Sequence, residues 1–184
     1  DLVALGTIGD LSPLVDENRI FARIGLELLN EDRRVGLKAL RETAGLGNTV
    51  IDSGVASFAL IPRINAAGRV GTPDDAVRLL LTEDPAEAQR IASRLDACNR
   101  ERQRLEKTIF DEIMARIHSM GDAKEKGALV LASPEWHPGV IGIVASRVVD
   151  RFYRPTILIS LKDGIGKGSG RSIAEFNLYE GLKL

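Results

Sequence analysis

The sequence has 184 residues, enough to bury a substantial core as one domain or as two small ones. Apolar residues make up 44% of the chain and charged residues 28%, with both signs interspersed, which is typical of a folded globular protein and excludes general disorder. The formal net charge is −1, so any nucleic-acid-binding surface must be a local patch. No apolar run approaches the roughly 20 residues that a membrane span needs.

The single cysteine and the two chain ends give expectations about location and completeness. Cys98 cannot form an internal disulfide, and no arginine-flanked apolar leader opens the chain, so we expect a cytoplasmic protein. Both ends look cut, because residues 1–5 are already an apolar run without a starting methionine and residues 179–184 resemble a helix that has barely begun. We therefore expect an interior piece of a longer protein.

Residues 1–84 are predicted to form short helices separated by glycine-marked turns. Asp16 can cap a helix that runs to Asn30. Its apolar residues recur on one stripe, formed by Ile20, Ile24 and Leu28.

Further helices in this zone are indicated by their end signals. Gly45 is placed to end the second helix, and residues 53–60 are predicted to form the third. Residues 72–75, Thr-Pro-Asp-Asp, combine a cap, a proline at the first helical position and two acids in the first turn. This pattern predicts a helix through residues 76–81.

Residues 85–121 are predicted to form one long helix, opened by Asp84 and Pro85 and closed by Gly121. Apolar side chains recur every three or four residues along it, at Ala88, Ile91, Leu95, Cys98, Leu105, Ile109, Ile113 and Ile117. Such a helix either connects two bodies or pairs with a partner helix. The seam is short and irregular for a coiled coil, which favours the connector.

Residues 122–184 change to a strand-helix-strand pattern. Residues 128–132 and 155–161 read as buried strands, and residues 139–152 between them are helical, which together make a βαβ unit. Asp163 and Gly164 then mark a turn into a further strand near residues 167–173. The predicted fold class of the chain is therefore α/β.

Asp10 and the block at residues 62–69 are the candidate site residues of the first zone. Asp10 follows a glycine-framed turn, where the backbone can come close to a bound ion, although a capping or loop aspartate would look the same. Asn65 and Arg69 stand among small residues, and a guanidinium is a fork matched to phosphate. An ordinary salt bridge is the alternative for Arg69.

In the last zone the candidates are His137 and a glycine-rich run. His137 precedes the helix of the βαβ unit, where anions are attracted and where a structural cap is equally possible. The run combines donors and glycines into a possible anion cradle, or a glycine-rich hairpin, and contains Gly168, Ser169, Gly170, Arg171 and Ser172. It is not a Walker loop, since no Ser or Thr follows Lys167 directly.

Taken together and in this order, the blocks resemble the RecJ exonucleases of the Asp-His-His (DHH) phosphoesterase superfamily. Residues 1–14 are similar to the family's fourth motif, with Gly9 where alanine is usual, and Asp10 matches its metal ligand. Residues 62–69 match the family's Pro-Arg-Ile-Asn-Ala-Ala-Gly-Arg block, with Val70 where methionine is common, and Arg69 looks like a phosphate contact. Residues 136–147 and 168–172 resemble the start and the substrate-binding strand of the associated domain.

The resemblance implies three parts. Residues 1–84 would be the helical C-terminal remainder of a DHH catalytic domain, and residues 85–121 the long connecting helix. Residues 122–184 would be the N-terminal part of the α/β DHH-associated, substrate-binding domain, where Ser169, Gly170 and Arg171 would hold the 5′ end phosphate of the DNA.

The function implied by the resemblance is 5′-to-3′ exonuclease activity on single-stranded DNA in repair and recombination, with two Mn²⁺ or Mg²⁺ ions. Helicases or single-strand-binding proteins would be possible partners. The family's other metal ligands lie in earlier motifs that this sequence lacks, so the fragment by itself is predicted to be inactive. The alternatives are another phosphoesterase of the superfamily, acting on short oligonucleotides or nucleotide phosphates, and a non-catalytic nucleic-acid-binding fragment.

Overall fold

The computed structural model describes residues 1–119 and 127–183. They form two compact units, Asp1–Glu101 and Arg102–Leu184. The predicted helix end at Gly121 and the predicted boundary between residues 121 and 122 lie outside the described residues. Helices dominate, and strands within the described ranges form one sheet, which confirms the α/β class. No helix in the described part of the chain has the length and apolar composition that a membrane span requires.

The first unit is helical. Its elements are α1 (Leu2–Gly9), α2 (Asp16–Asn30), α3 (Val35–Thr43), α4 (Ser53–Val55), a π-helical turn (Ala56–Leu60), α5 (Ile61–Val70), α6 (Pro73–Leu81) and the first part of α7 (Pro85–Ser119). Every one of these helices except α4 contributes buried side chains, which include Leu5, Leu29, Leu40, Leu60, Ile61, Leu79, Ile91 and Leu95. The unit is thus held together by one apolar core.

The segment before Asp10 is helix α1, so the prediction of a glycine-framed turn was wrong. Ala4, Leu5 and Ile8 are buried on one face of α1, and this helical spacing outweighs the two glycines. The backbone N–H of Asp10 donates to the carbonyl of Gly6 at 2.9 Å. Asp10 therefore stands at the C-terminal cap of a helix.

Helix α2 has the predicted bounds, but its cap and its packed face differ from the prediction. Val15, in extended conformation, holds the cap position, and the side chain of Asp16 lies in the first turn without capping it. The buried residues are Ala22, Gly25 and Leu29, whereas the predicted stripe through Ile20 remains half exposed. Gly25 decides the face, because its bare backbone lets α1 approach closely.

Two helix ends predicted from glycine and proline are confirmed. After α3, Gly45 has a φ of +73° and its N–H donates to Glu42, while the N–H of Leu46 donates to Arg41 at 3.1 Å. This pair of bonds is the Schellman arrangement that glycine favours. Helix α6 begins at Pro73 as expected.

The predicted helix at residues 53–60 does not end there but continues into α5. Pro62 lies in the first turn of α5 and has no N–H to donate. The π-helical turn just before it widens the backbone, and the N–H of Ile61 donates to the carbonyl of Ala56. The wider turn accommodates the proline without breaking the helix, so the block at residues 62–69 is helical.

Helix α7 confirms the predicted seam over its described length. Its first part contributes Ala88, Ile91 and Leu95 to the core of the first unit. In the second unit Ile109 and Ile113 are buried in the same way. The helix therefore belongs to the cores of both units.

The second unit contains the predicted βαβ arrangement. Its remaining elements are β1 (Leu129–Ser133), α8 (Ile141–Phe152), β2 (Thr156–Lys162), β3 (Ile165–Arg171) and α9 (Leu178–Gly181). The strand order is β1-β2-β3, with β1 parallel and β3 antiparallel to β2. Asp163 and Gly164 make the predicted two-residue turn, with φ values of 52° and 76°.

Trp136 fixes the loop between β1 and α8. Its ring is 2% exposed, and its Nε1 donates to Glu112 Oε2 at 2.9 Å. The hydroxyl of Ser160 on β2 donates to the carbonyl of Trp136 at 2.6 Å. The loop residues that follow, including His137, are thereby held against the end of the sheet.

Gly36 supplies a test of the packing in the first unit. An ideal Cβ on Gly36 would lie 1.7 Å from the carbonyl oxygen of Leu79. We therefore expect Gly36→Ala to lower the free energy of unfolding by about 3 kcal/mol, which is the upper end of the usual cost of overpacking a core. Gly68→Ala is the matched control, since nothing lies within 4 Å of its Cβ position and alanine is favoured over glycine in a helix by roughly 0.5–1 kcal/mol. Denaturant unfolding would measure both variants, and equal stability of the two would contradict the packing described.

Candidate functional site

The first unit has a cavity of about 650 Å³ that gathers the predicted site residues of this unit. It is lined by Leu2, Leu5, Gly6, Gly9, Asp10, Ile61, Ile64, Asn65, Gly68, Arg69 and Leu80. Helix α1 brings Asp10 to it, and α5 brings Asn65 and Arg69. Residues that are more than 50 positions apart in sequence therefore share one concave surface.

The carboxylate of Asp10 is available to a ligand. Asp10 ends α1 through its backbone N–H, so its side chain does not cap the helix. The residue is exposed, and no side chain in the described ranges pairs with its carboxylate. The side chain therefore does not act as a helix cap, and its role as a metal ligand stays a prediction.

Helix α5 has one face turned inward and one turned toward the cavity. Ala66 and Ala67 are buried, and the guanidinium of Arg63 donates to Asp96 on α7 at 2.9 Å. Asn65 and Arg69, one helical turn apart, are exposed and line the cavity. The block at residues 62–69 therefore combines a structural anchor with two outward polar side chains.

Two glycines leave space in this cavity. Ideal Cβ atoms on Gly6 and Gly68 would meet nothing within 4 Å, although both residues lie inside helices. Packing of the described chain therefore does not require glycine at either position. What their missing side chains provide is room beside Asp10 and Asn65.

The donor set of the cavity suits a hard divalent cation, but its lining residues include only one carboxylate, that of Asp10. A carboxylate oxygen is a ligand that Mg²⁺ and Mn²⁺ prefer. Throughout residues 1–119 and 127–183, no three His, Cys, Asp or Glu side chains come together as a metal site. Asp10 thus fits as one member of a ligand set, and the described residues do not form a complete site.

The second unit places part of the glycine-rich run beside α8. On β3 the glycines and the larger residues alternate, and the Cβ positions of Gly166 and Gly168 face Ile159. The Cβ position of Gly170 lies 2.6 Å from the end of the Leu178 side chain, so a larger residue there would require Leu178 to move. Ser169 and Arg171 point to the opposite face of the sheet, toward α8.

The guanidinium of Arg171 is held in a fixed orientation. Its Nε donates to the hydroxyl of Ser146 on α8 at 3.1 Å. Its Nη1 donates to the hydroxyl of Ser169 at 3.3 Å and to the carbonyl of Gly170 at 2.7 Å. An oriented guanidinium beside a hydroxyl is a good receptor for a phosphate group.

His137 and Ser172 have structural partners. Helix α8 begins at Ile141, later than predicted, and His137 precedes it, with Nδ1 accepting from the N–H of Gly139 at 3.1 Å. The Ser172 hydroxyl donates to the carbonyl of Phe176 at 2.6 Å, beyond the end of β3. Phosphate contacts by these two side chains stay predictions.

Two residues next to Arg171 were not predicted from the sequence, Gly142 and Ser146. Gly142 lies in the first turn of α8, and Ser146 follows one turn later on the same face. The available signal was the spacing of two small residues by four positions within residues 136–147. The spacing alone does not predict a contact with Arg171, because the sequence does not show that β3 lies against this face of α8.

Comparison with known proteins identifies close relatives over the whole chain. The RecJ single-stranded-DNA-specific exonuclease of Bacillus subtilis is 46% identical over 184 residues, which are 99% of this chain and 23% of the relative. The RecJ proteins of Thermus thermophilus and Escherichia coli are 40% and 39% identical, and the chain covers 26% and 32% of them. No protein-family model matches the chain.

Solved structures give the same result. The structure of Thermus thermophilus RecJ in complex with Mn²⁺ matches with a TM-score of 0.85 and 39% identity, over 98% of this chain and 26% of that one. A second structure, of RecJ bound to manganese, matches equally well over 100% of this chain and 44% of its own. The chain spans less than half of the length of any of these relatives. From its first to its last helix, this chain therefore belongs to the RecJ family.

Proposed function

We propose that this chain is a segment of a longer, metal-dependent exonuclease that degrades single-stranded DNA. The observation that carries the proposal is the cavity in which Asp10 meets Asn65 and Arg69. A carboxylate that can hold a divalent cation, close to a guanidinium that can bind phosphate, suits the hydrolysis of a phosphodiester. The relatives that match the whole chain are named as single-stranded-DNA-specific exonucleases.

In this proposal Asp10 supplies one oxygen ligand to Mn²⁺ or Mg²⁺, the ions in the related crystal structures. The remaining ligands of the two ions would come from parts of the protein that precede this chain. Bound divalent ions supply an activated water and neutralise charge on the departing oxygen. Arg69 and Asn65 would orient the DNA backbone beside Asp10.

The second unit would bind the 5′ end of the strand. Arg171, held by Ser146 and Ser169, offers oriented N–H donors to a terminal phosphate. The backbone of Gly168 and Gly170 would complete the contact, together with the side chains of Ser172, which follows Arg171, and of His137, which precedes α8. Recognition of the 5′ end gives digestion in the 5′-to-3′ direction, with release of nucleotides.

The setting of this activity is a further part of the proposal. We place the enzyme in DNA repair and recombination in the cytoplasm, with helicases or single-strand-binding proteins as possible partners. Helicases would produce the long single strands that such an enzyme digests, and single-strand-binding proteins would protect them.

Substitution of Asp10 tests the cavity. In the full-length protein we expect Asp10→Asn to lower the rate of single-strand digestion by at least about 100-fold, because weakening a catalytic ion removes several kcal/mol of transition-state stabilisation. Asp74→Asn is the matched control, since Asp74 is also exposed but lies outside the cavity. Initial rates on a labelled single strand measure the effect, and equal rates for the two variants would refute the role of Asp10.

Substitution of Arg171 tests the binding of the strand end. Loss of a charge-assisted hydrogen bond costs about 1.5–3 kcal/mol, so Arg171→Ala should weaken binding of a 5′-phosphorylated strand by roughly 10- to 100-fold. Binding of the 5′-hydroxyl strand should change little. Arg151→Ala, at another exposed arginine of the second unit, should preserve the preference for phosphate. An unphosphorylated strand that binds the wild type equally well would contradict the assignment.

The isolated 184-residue chain provides a third test. Because Asp10 is the one carboxylate among the described lining residues of the cavity, we expect no Mn²⁺- or Mg²⁺-dependent cleavage of single-stranded DNA by the pure chain. The measurement is release of nucleotides from a labelled strand, compared with the full-length protein at equal concentration. Cleavage that Asp10→Asn abolishes in the isolated chain would disprove this expectation.

A further inference from the structure

We infer that Gly142 and Ser146 of α8 are positioning residues that aim the Arg171 guanidinium at its ligand. The inference rests on the proposed role of Arg171 in binding the phosphate at the strand end. It assigns a function to the face of α8 that carries Gly142 and Ser146 and lies beside Arg171.

Three of the five N–H groups of Arg171 have partners within the chain. Nε donates to Ser146, and the two hydrogens of Nη1 are directed to Ser169 and to the carbonyl of Gly170. No acceptor for Nη2 is present in the part of the chain that the structure describes. The hydrogens of Nε and Nη1 thus orient the guanidinium, and the two hydrogens of Nη2 remain available to a ligand.

Ser146 holds this orientation because its hydroxyl is itself oriented. Its Oγ donates to the carbonyl of Gly142 one turn earlier, at 3.3 Å. A hydroxyl has one hydrogen and two lone pairs, so this bond turns a lone pair toward Nε of Arg171. Without the hydroxyl, the Nε side of the guanidinium would lose its only anchor on α8.

Gly142 keeps open the space in front of the ligand-binding donors. An ideal Cβ on Gly142 would lie 3.0 Å from Ser169 Oγ and 3.4 Å from Arg171 Nη2. A methyl group there would displace the hydroxyl and cover the side of Nη2 that carries no partner. The backbone of α8 does not itself require glycine, because Gly142 lies outside the positive-φ region and alanine is favoured in helices.

The test measures how strongly the full-length protein prefers a 5′-phosphorylated over a 5′-hydroxyl single strand. The measure is the dissociation constant of the 5′-hydroxyl strand divided by that of the 5′-phosphorylated strand, both determined in the presence of a metal chelator. In Gly142→Ala we expect the added methyl group to displace the Arg171 guanidinium by a few tenths of an ångström. Since a misplacement of 1 Å can reduce the rate at an active site by about 100-fold, this smaller shift should reduce the ratio by about 3- to 10-fold. Ser146→Ala should reduce it similarly, and Ser146→Thr, which retains the hydroxyl, should restore it. The thermal unfolding midpoint of Gly142→Ala should be unchanged or higher.

The matched control is Gly127→Ala, at a glycine of the same unit with nothing within 4 Å of its Cβ position, which should keep the wild-type ratio. Ser146→Ala carries the test if Gly142→Ala fails to fold. A wild-type ratio in Gly142→Ala and Ser146→Ala, with a reduced ratio in Arg171→Ala, overturns the positioning role alone. An unchanged ratio in Arg171→Ala overturns the proposed phosphate site, and the positioning role with it.

Discussion

The buried ion pair between Arg63 and Asp96 determines which face of α5 the protein presents. Both side chains are largely buried, and Asp96 also pairs with Arg100. At about 100° per residue, Asn65 and Arg69 lie roughly 200° and 240° around the helix from Arg63. Once Arg63 is held inward, these two side chains must point outward. Removing one partner of such a pair costs about 3–5 kcal/mol, so the anchor protects the geometry of the cavity as well as the fold.

The glycines of the chain fall into two physical classes. Gly25 and Gly36 stand where the Cβ or backbone of another helix would collide with an added Cβ, so they are needed for packing. Gly6 and Gly68 stand at an open surface inside helices, where glycine weakens the helix and packing offers no compensation. Glycines of the second class lie beside the candidate catalytic residue, as expected where a ligand must approach the backbone.

The two candidate phosphate receptors are built on the same plan. An arginine on one element is accompanied by a small residue that keeps space open: Arg69 by Gly68, and Arg171 by Gly142. In the second unit the arginine is tied to a helix through Ser146. Such ties reduce the conformational freedom that the side chain would lose on binding phosphate, which makes each hydrogen bond to the ligand more effective.

The sequence by itself determined the element types, most helix ends and the family blocks, because these depend on local periodicity and on the φ preferences of glycine and proline. Asp10, Asn65 and Arg69 were also identified as candidates by residue type and order. Only the tertiary structure decided that α2 packs through Gly25 and that Gly142 and Ser146 contact Arg171. Each of these outcomes depends on a surface contributed by a distant part of the chain, and local patterns carry no information about such a surface.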